Sequence, residues 1–274
     1  MVKTQQTHAQ NFRALHALKV SPLVLPNAWD AASAGIMVKC GATAIATTSA
    51  GVSWSHGFPD GEQLPREAQL ATVREIVRVA TVPVTVDVEG GYSDDPQEVA
   101  NLISEIIAAG AIGVNLEDGA SPPDLLVAKI VAAKAVARRA GIDLFINART
   151  DVYLRSLVSA DLAMAETIKR AKLYQNAGAD GIFAPVLVNL DEMRQIAEAV
   201  PLPLNVMALP GIAAVNVLKA HGVRRISVGP ALFQTAMAAA QKAAKEILDQ
   251  GHFDTLFSAA VSFGEMNELF ASSF

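Results

Sequence analysis

A single cysteine, Cys40, stands in a chain of 274 residues. That scarcity excludes an intrachain disulfide and any metal site built from several thiolates, and it makes the cytoplasm the expected compartment. Long apolar runs are missing as well. A stretch such as Ala236–Ala240 is far below the roughly 20 residues that a bilayer span requires, so no membrane partner is expected. The first eleven residues are polar and lack the apolar segment of a secretory signal. No basic excess exists either: 22 Lys and Arg against 27 Asp and Glu give a formal charge of -5, with the two signs interspersed. Nucleic acid is therefore an unexpected partner, and a small molecule the expected one.

What the chain does have is apolar mass. With 51% hydrophobic and 18% charged residues it can bury a large core, sized for one barrel or two ordinary domains. Short Val- and Ile-rich runs alternate with stretches of helical period, the pattern of repeated βα units. Eight strands can be read: 23–25, 44–48, 84–88, 113–117, 144–147, 181–184, 204–207 and 225–228. Four of the helices before them end in a recurring stop, at Gly41, Gly110, Gly178 and Gly222, where glycine permits the left-handed turn that closes a helix. The runs Thr81-Val-Pro-Val and Val200-Pro-Leu-Pro place proline at strand entries, where a missing N–H is tolerated.

Eight such units predict an α/β fold, a (β/α)₈ TIM barrel over residues 1–274, with an open doubly wound sheet as the alternative. A helix within residues 1–20, read at Thr7–Leu18, precedes the first strand. The segment 252–274 forms a helical extension with an apolar stripe that includes Phe253, Phe257, Phe263, Leu269 and Phe270. A stripe with no barrel left to cover calls for another surface, such as a neighbouring subunit.

In such a barrel the active site lies at the C-terminal ends of the strands, and here those ends are acidic. They carry Asp87 and Glu89, then Glu117 and Asp118, with Asp60 on the loop after the second strand. Carboxylates converging on one mouth repel unless a cation sits among them, and an oxygen-only set suits Mg²⁺ or Mn²⁺. The competing reading has Asp87 and Glu89 merely ending a strand and capping a helix. Arg149 can clamp a substrate carboxylate with its planar fork, or can pair with Asp151 or Glu117. Ser49, in Thr48-Ser49-Ala50-Gly51, offers a hydroxyl and backbone N–H groups at another strand end.

Taken together, Pro26-Asn27-Ala28-Trp29-Asp30, Thr47-Thr48-Ser49-Ala50-Gly51, Pro59-Asp60-Gly61, Asp87-Val88-Glu89-Gly90-Gly91-Tyr92, Asn115-Leu116-Glu117-Asp118 and Asn147-Ala148-Arg149-Thr150-Asp151 resemble the isocitrate lyase and phosphoenolpyruvate mutase superfamily. The resemblance implies a barrel whose last helices are exchanged between subunits of a homotetramer. It implies Mg²⁺ held directly by Asp87, with Asp60, Glu89 and Glu117 around it, and catalysis by Asp60, Glu117 and Arg149. It assigns the substrate carboxylate to Ser49, Ala50, Gly51 and Arg149, and the distal part of the substrate to Asn205.

One departure limits the chemistry. Lyases and mutases of the superfamily carry Cys, Lys, His or Asn on the loop after the fourth strand, whereas this loop reads Asp118-Gly119-Ala120-Ser121-Pro122-Pro123-Asp124. Cys40, expected to be a small buried hydrophobe at the end of the first barrel helix, cannot substitute. The expectation is a metal-dependent carbon–carbon lyase or decarboxylase of a small 2-oxo or 2-hydroxy dicarboxylate such as oxaloacetate, since decarboxylation needs no loop-borne base. The alternatives are a P–C bond enzyme acting on phosphonopyruvate, and a barrel that binds 2-oxo acids without turning them over. If a base is needed, Asp118, His56, Tyr92 and Tyr153 are candidates by position, and Trp54 with His56 stands on a loop able to close over a ligand.

Overall fold

The computed structural model describes residues 2–17, 20–258 and 260–271. Helix α1 (Val2–Ala17) comes first; residues 18 and 19, part of the expected N-terminal helix, lie outside the described residues, as do 272–274 of the extension. The barrel wall and its helices then alternate. Strands β1 (Leu23–Leu25) and β2 (Asn27–Ala28) lead to α2 (Ala31–Lys39), and β3 (Ile45–Thr47) to α3 (Ser49–Ser55) and α4 (Arg66–Val79). After them come β4 (Val84–Asp87), α5 (Pro96–Ala108), β5 (Gly113–Glu117), α6 (Pro123–Ala140), β6 (Phe145–Arg149) and α7 (Ala160–Ala177). The wall is completed by β7 (Gly181–Phe183), α8 (Leu190–Ala199), β8 (Leu204–Met207), α9 (Val215–Ala220) and β9 (Val223–Ser227). Beyond it lie α10 (Ala231–Gln250), α11 (Asp254–Ser258) and α12 (Phe263–Ala271).

Every strand pair is parallel, in the order β1-β9-β8-β7-β6-β5-β4-β3-β2. Nine segments appear where eight were expected because Pro26 divides the first strand. Proline has no N–H to give to a ladder. Its carbonyl still accepts from Ala46 N at 3.1 Å, so the strand turns from β9 on one side to β3 on the other across a single residue. The sheet thereby returns to its start as a nearly closed barrel, and the open doubly wound alternative is ruled out. Strand nine also begins earlier than expected, at Val223.

The four glycine stops all have positive φ, between 85° and 107°. At Gly110 a second reason operates: a Cβ there would stand 2.7 Å from the Val77 side chain, so only glycine lets α5 close against α4. One large apolar cluster fills the space between the strands and α5, α6 and α7, drawing in Ile103, Ile130, Ile146 and Tyr174. The lower end of the barrel is plugged from α1. Phe12 meets Phe145 edge-on at 5.3 Å and His16 stacks on the same ring at 4.2 Å. Burial pushes the His16 imidazole down to about 3, with Arg225 adding to the effect.

The C-terminal helices stand away from this core. Of the twenty residues of α10 only Phe233 is buried. Phe257 and Phe263 are 78% and 84% exposed, whereas Leu269 and Phe270 approach Gly35 on α2 of the same chain. No helix among the described residues is long and apolar enough to cross a membrane.

Candidate active site at the barrel mouth

Residues two apart on a strand share a face, so Asp87, Glu117 and Arg149 all point inward from the last turnings of β4, β5 and β6. Asp87 is held from β3: its backbone N donates to Thr47 Oγ1 at 2.9 Å, and its Oδ2 accepts from Ser49 Oγ at 3.0 Å and, at 3.4 Å, from Ser49 N. Its other oxygen, Oδ1, is buried without a hydrogen-bond partner. Arg149 faces it across the mouth. The guanidinium donates from Nε and Nη2 to both oxygens of Asp151, at 2.7 and 3.1 Å, and Phe183 lies beneath it at 5.9 Å. Arg149 Nη1 stands 2.7 Å from Glu117 Oε2, off the N–H axis, so the contact is an ion pair without an aligned hydrogen bond. Both pairings weighed against a substrate clamp are thus present.

A cleft of about 170 Å³ opens between these walls, lined by Ser49, Asp60, Asp87, Asn115, Arg149 and Phe183 among others. Larger clefts lie elsewhere, including one of about 470 Å³ at the opposite end of the barrel around His16 and Arg194. Volume does not select the site; the convergence of charge at the strand ends does.

The acids share an uncomfortable environment. Burial raises Asp87, with Arg149 and the Ser49 hydrogen bonds pulling the other way and Asp60 adding repulsion. Glu89 is pushed up to about 7, first by burial and then by Asp87 and Asp60. Glu117 is pushed up to about 8, because burial outweighs the attraction of Arg149 and Asp87 repels it. Both oxygens of Glu89 are engaged: they accept from Glu62 N at 2.7 Å and Tyr92 Oη at 3.0 Å. Glu62 in turn accepts from Tyr92 N at 2.8 Å. Glu62, Glu89 and Tyr92 all have φ between 52° and 60°, so the Asp60 loop is latched to the strand-four loop by three left-handed residues. Glu62 went unremarked in the sequence because its role depends on a backbone N–H rather than on its charge.

Several expectations need correction. Asp118 is held away from the cleft: fully buried, it accepts from Thr150 Oγ1, Asp151 N, Arg170 Nη1 and Tyr174 Oη at 2.6–2.9 Å. Adjacent to Glu117, it points through the wall to the opposite side. Tyr153 donates to Glu192 at 2.8 Å, Tyr92 to Glu89, and the His56 ring meets Thr72 Oγ1 at 2.9 Å. Trp54 packs against Phe233, 5.5 Å between centroids. Cys40 is exposed, as the C-cap of α2, rather than buried. From β8 it is Met207 that reaches the cleft; Asn205 lies a layer deeper, fully buried with neither amide atom partnered. Ser49 and Ala50 line the cleft, while Gly51 N sits 3.4 Å from Thr48 Oγ1.

Among the described residues no three His, Cys, Asp or Glu side chains converge as a ready-made metal cage. The donor set nonetheless fits a hard cation of low protein coordination. Mg²⁺ keeps most of its waters and takes one or two carboxylates, and Asp87 Oδ1 is a buried carboxylate oxygen with no other partner.

Residues 12–248 match the family model described as Phosphoenolpyruvate phosphomutase. The chain is 39% identical over 244 residues to an uncharacterized protein of Mycobacterium tuberculosis, covering 87% of this chain and 89% of that one. It is 31% identical over 210 residues to a 2-methylisocitrate lyase of Bacillus subtilis, covering 73% of this chain and 67% of the lyase. A crystal structure of a candidate lyase/mutase from Burkholderia cenocepacia J2315 superposes with a TM-score of 0.89 at 36% identity, covering 98% and 97% of the two chains. The protein belongs to the phosphoenolpyruvate mutase and isocitrate lyase superfamily.

Proposed function

We propose that the protein is a Mg²⁺-dependent lyase or decarboxylase of a small 2-oxo or 2-hydroxy dicarboxylate, with oxaloacetate the first substrate to test. The observation that carries this reading is the pairing of one free, buried Asp87 oxygen with a guanidinium on the far wall of the same cleft. A 2-oxo acid presents a carboxylate for the guanidinium and an oxo oxygen for a cation held at Asp87. The 2-methylisocitrate lyase relative supports carbon–carbon cleavage as the reaction class.

In this reading Asp87 would hold Mg²⁺, with Asp60, Glu89 and Glu117 around it; Mn²⁺ would serve in the same place. A cation held there would supply Lewis-acid stabilisation of the negative charge that develops when the bond breaks. Ser49 Oγ orients Asp87, the Ser49–Gly51 backbone and Arg149 hold the substrate carboxylate, and the Asp151 contacts keep the Arg149 fork planar to the cleft. Glu117, raised to about 8 by burial and by its acidic neighbours, would be drawn back toward its ionised form by a cation in the mouth. The strand-five loop, fixed by Asp118 and devoid of Cys, Lys, His and Asn, favours decarboxylation over cleavage steps that need a proton acceptor there. We also infer that α10 pairs with another copy of the chain in a helix-exchanged tetramer, supported by its nearly complete exposure.

The second reading, P–C bond chemistry on phosphonopyruvate, is favoured by the description of the family model. One screen separates the two. Purified protein with Mg²⁺ should release pyruvate from oxaloacetate or a related 2-oxo dicarboxylate, and no phosphate from phosphonopyruvate. Release of phosphate alone would reverse the order, and a protein that releases neither would leave the reaction proposed here without support.

A further inference from the structure

Beneath the acids, the middle of the barrel is built from amides and one cation. Asn115, Asn147, Asn205 and Arg225 face inward, two residues below Glu117, Arg149, Met207 and Ser227 respectively. Arg225 is fully buried, yet among the described residues it has no carboxylate partner. Its Nη2 donates to Asn115 Oδ1 at 3.0 Å, while Nε and Nη1 have no hydrogen-bond partner. Asn147 Nδ2 donates to the same Asn115 oxygen at 2.9 Å.

These two bonds settle which way the Asn115 amide faces. A guanidinium has only donors, so the atom it meets must be an acceptor. With Oδ1 engaged by both Arg225 and Asn147, the amide nitrogen is turned away from Arg225. Asn115 forms part of the cleft floor, paired in register with Asp87, and its Nδ2 donates to nothing within the described residues.

We propose that Asn115 is a substrate-contacting residue whose Nδ2 donates to an oxygen of the bound 2-oxo acid, and that Arg225 is the positioning residue that locks the amide in that orientation. The inference rests on the reading of the cleft given above. Physically it gives the site a neutral donor beside Asp87, in a place where a lysine or arginine would compete with a cation for the same carboxylate. Arg225 supplies the orientation from within the same layer, and its charge, which feels Asp87 but forms no ion pair, makes the lumen attractive to an anion without touching it.

The test is calorimetric binding of oxalate, a stable two-carbon dianion, to the full chain with saturating Mg²⁺, alongside Mg²⁺ binding without oxalate. Asn115→Ala should weaken oxalate about tenfold or more, as loss of one hydrogen bond to a charged acceptor requires. Asn115→Asp is the control for folding: it keeps an acceptor toward Arg225 and gives that cation a counter-charge, so its thermal stability should equal or exceed that of the wild type while oxalate binding falls. Arg225→Met should weaken oxalate about fivefold; Arg225→Lys, which can only donate, should restore binding to within about threefold of the wild type. Neither Arg225 variant should weaken Mg²⁺ in the absence of oxalate, whereas general damage to the barrel would weaken both ligands together. If the wild type binds oxalate and Asn115→Ala and Arg225→Met bind it equally well, the assignment is overturned while the reading of the cleft stands. If the wild type itself fails to bind oxalate, both are overturned.

Discussion

Two acidic neighbours on one strand end, Glu117 and Asp118, show how differently this protein treats a buried carboxylate on the two sides of its wall. Behind the wall, Asp118 collects four donors, two from the residues just past β6 and two from α7. In the mouth, Asp87 keeps one oxygen without a partner, and Glu89 and Glu117 are pushed up to about 7 and about 8. A carboxylate that is fully satisfied holds structure together; carboxylates crowded together and left short of donors cost stability and are ready for a ligand.

The largest expected effect separates the two kinds of acid. Asp87→Asn should lower Mg²⁺-dependent kcat/KM by about a thousandfold, the scale of losing a metal's charge stabilisation, while the melting temperature holds or rises. Asp118→Ala should do the reverse. It strips a buried ion pair and three further hydrogen bonds from their acceptor, so it should cost about 3 kcal/mol or more and lower the melting temperature by roughly 6–12 °C, with activity per folded molecule largely kept. Loss of stability in Asp87→Asn comparable to that in Asp118→Ala would erase the distinction.

A smaller effect appears with pH. Glu117 and Glu89 titrate near 4.5 when the chain is unfolded and near 8 and 7 when it is folded, so between those limits the folded state holds protons that the unfolded chain releases. Stability from this source is complete below about pH 4.5 and lost as pH rises through 7 to 8. Metal-free protein should therefore melt at progressively lower temperature from pH 5 to 8.5, and Glu117→Gln should flatten the slope. A melting temperature that rises over that interval in the absence of metal would contradict the sharing of charge described for the mouth.

Much of this was legible in the chain. Gly41, Gly110, Gly178 and Gly222 marked four helix ends because left-handed backbone is a local property that a single residue type reveals. Asp87, Glu117 and Arg149 could be placed at the mouth because strand ends follow from the same periodicity. Asp118 was legible in principle: one residue from Glu117, it had to face the other way. Asn115 and Glu62 were not legible. The orientation of one amide depends on Arg225, 110 residues distant, and the other side chain is held by loop backbone that no local pattern announces. Cys40 was misjudged because apolar character says little about a cap position that ends in solvent.

The break at Pro26 has a consequence for how the chain acquires its shape. The residues on either side of that proline serve as the seam, giving one edge to β9 and the other to β3. No ring can be completed on the ribosome until Ser227 has emerged, some two hundred residues after the first half of the seam. Until then the sheet has two unpaired edges, the places where a strand of another chain could pair.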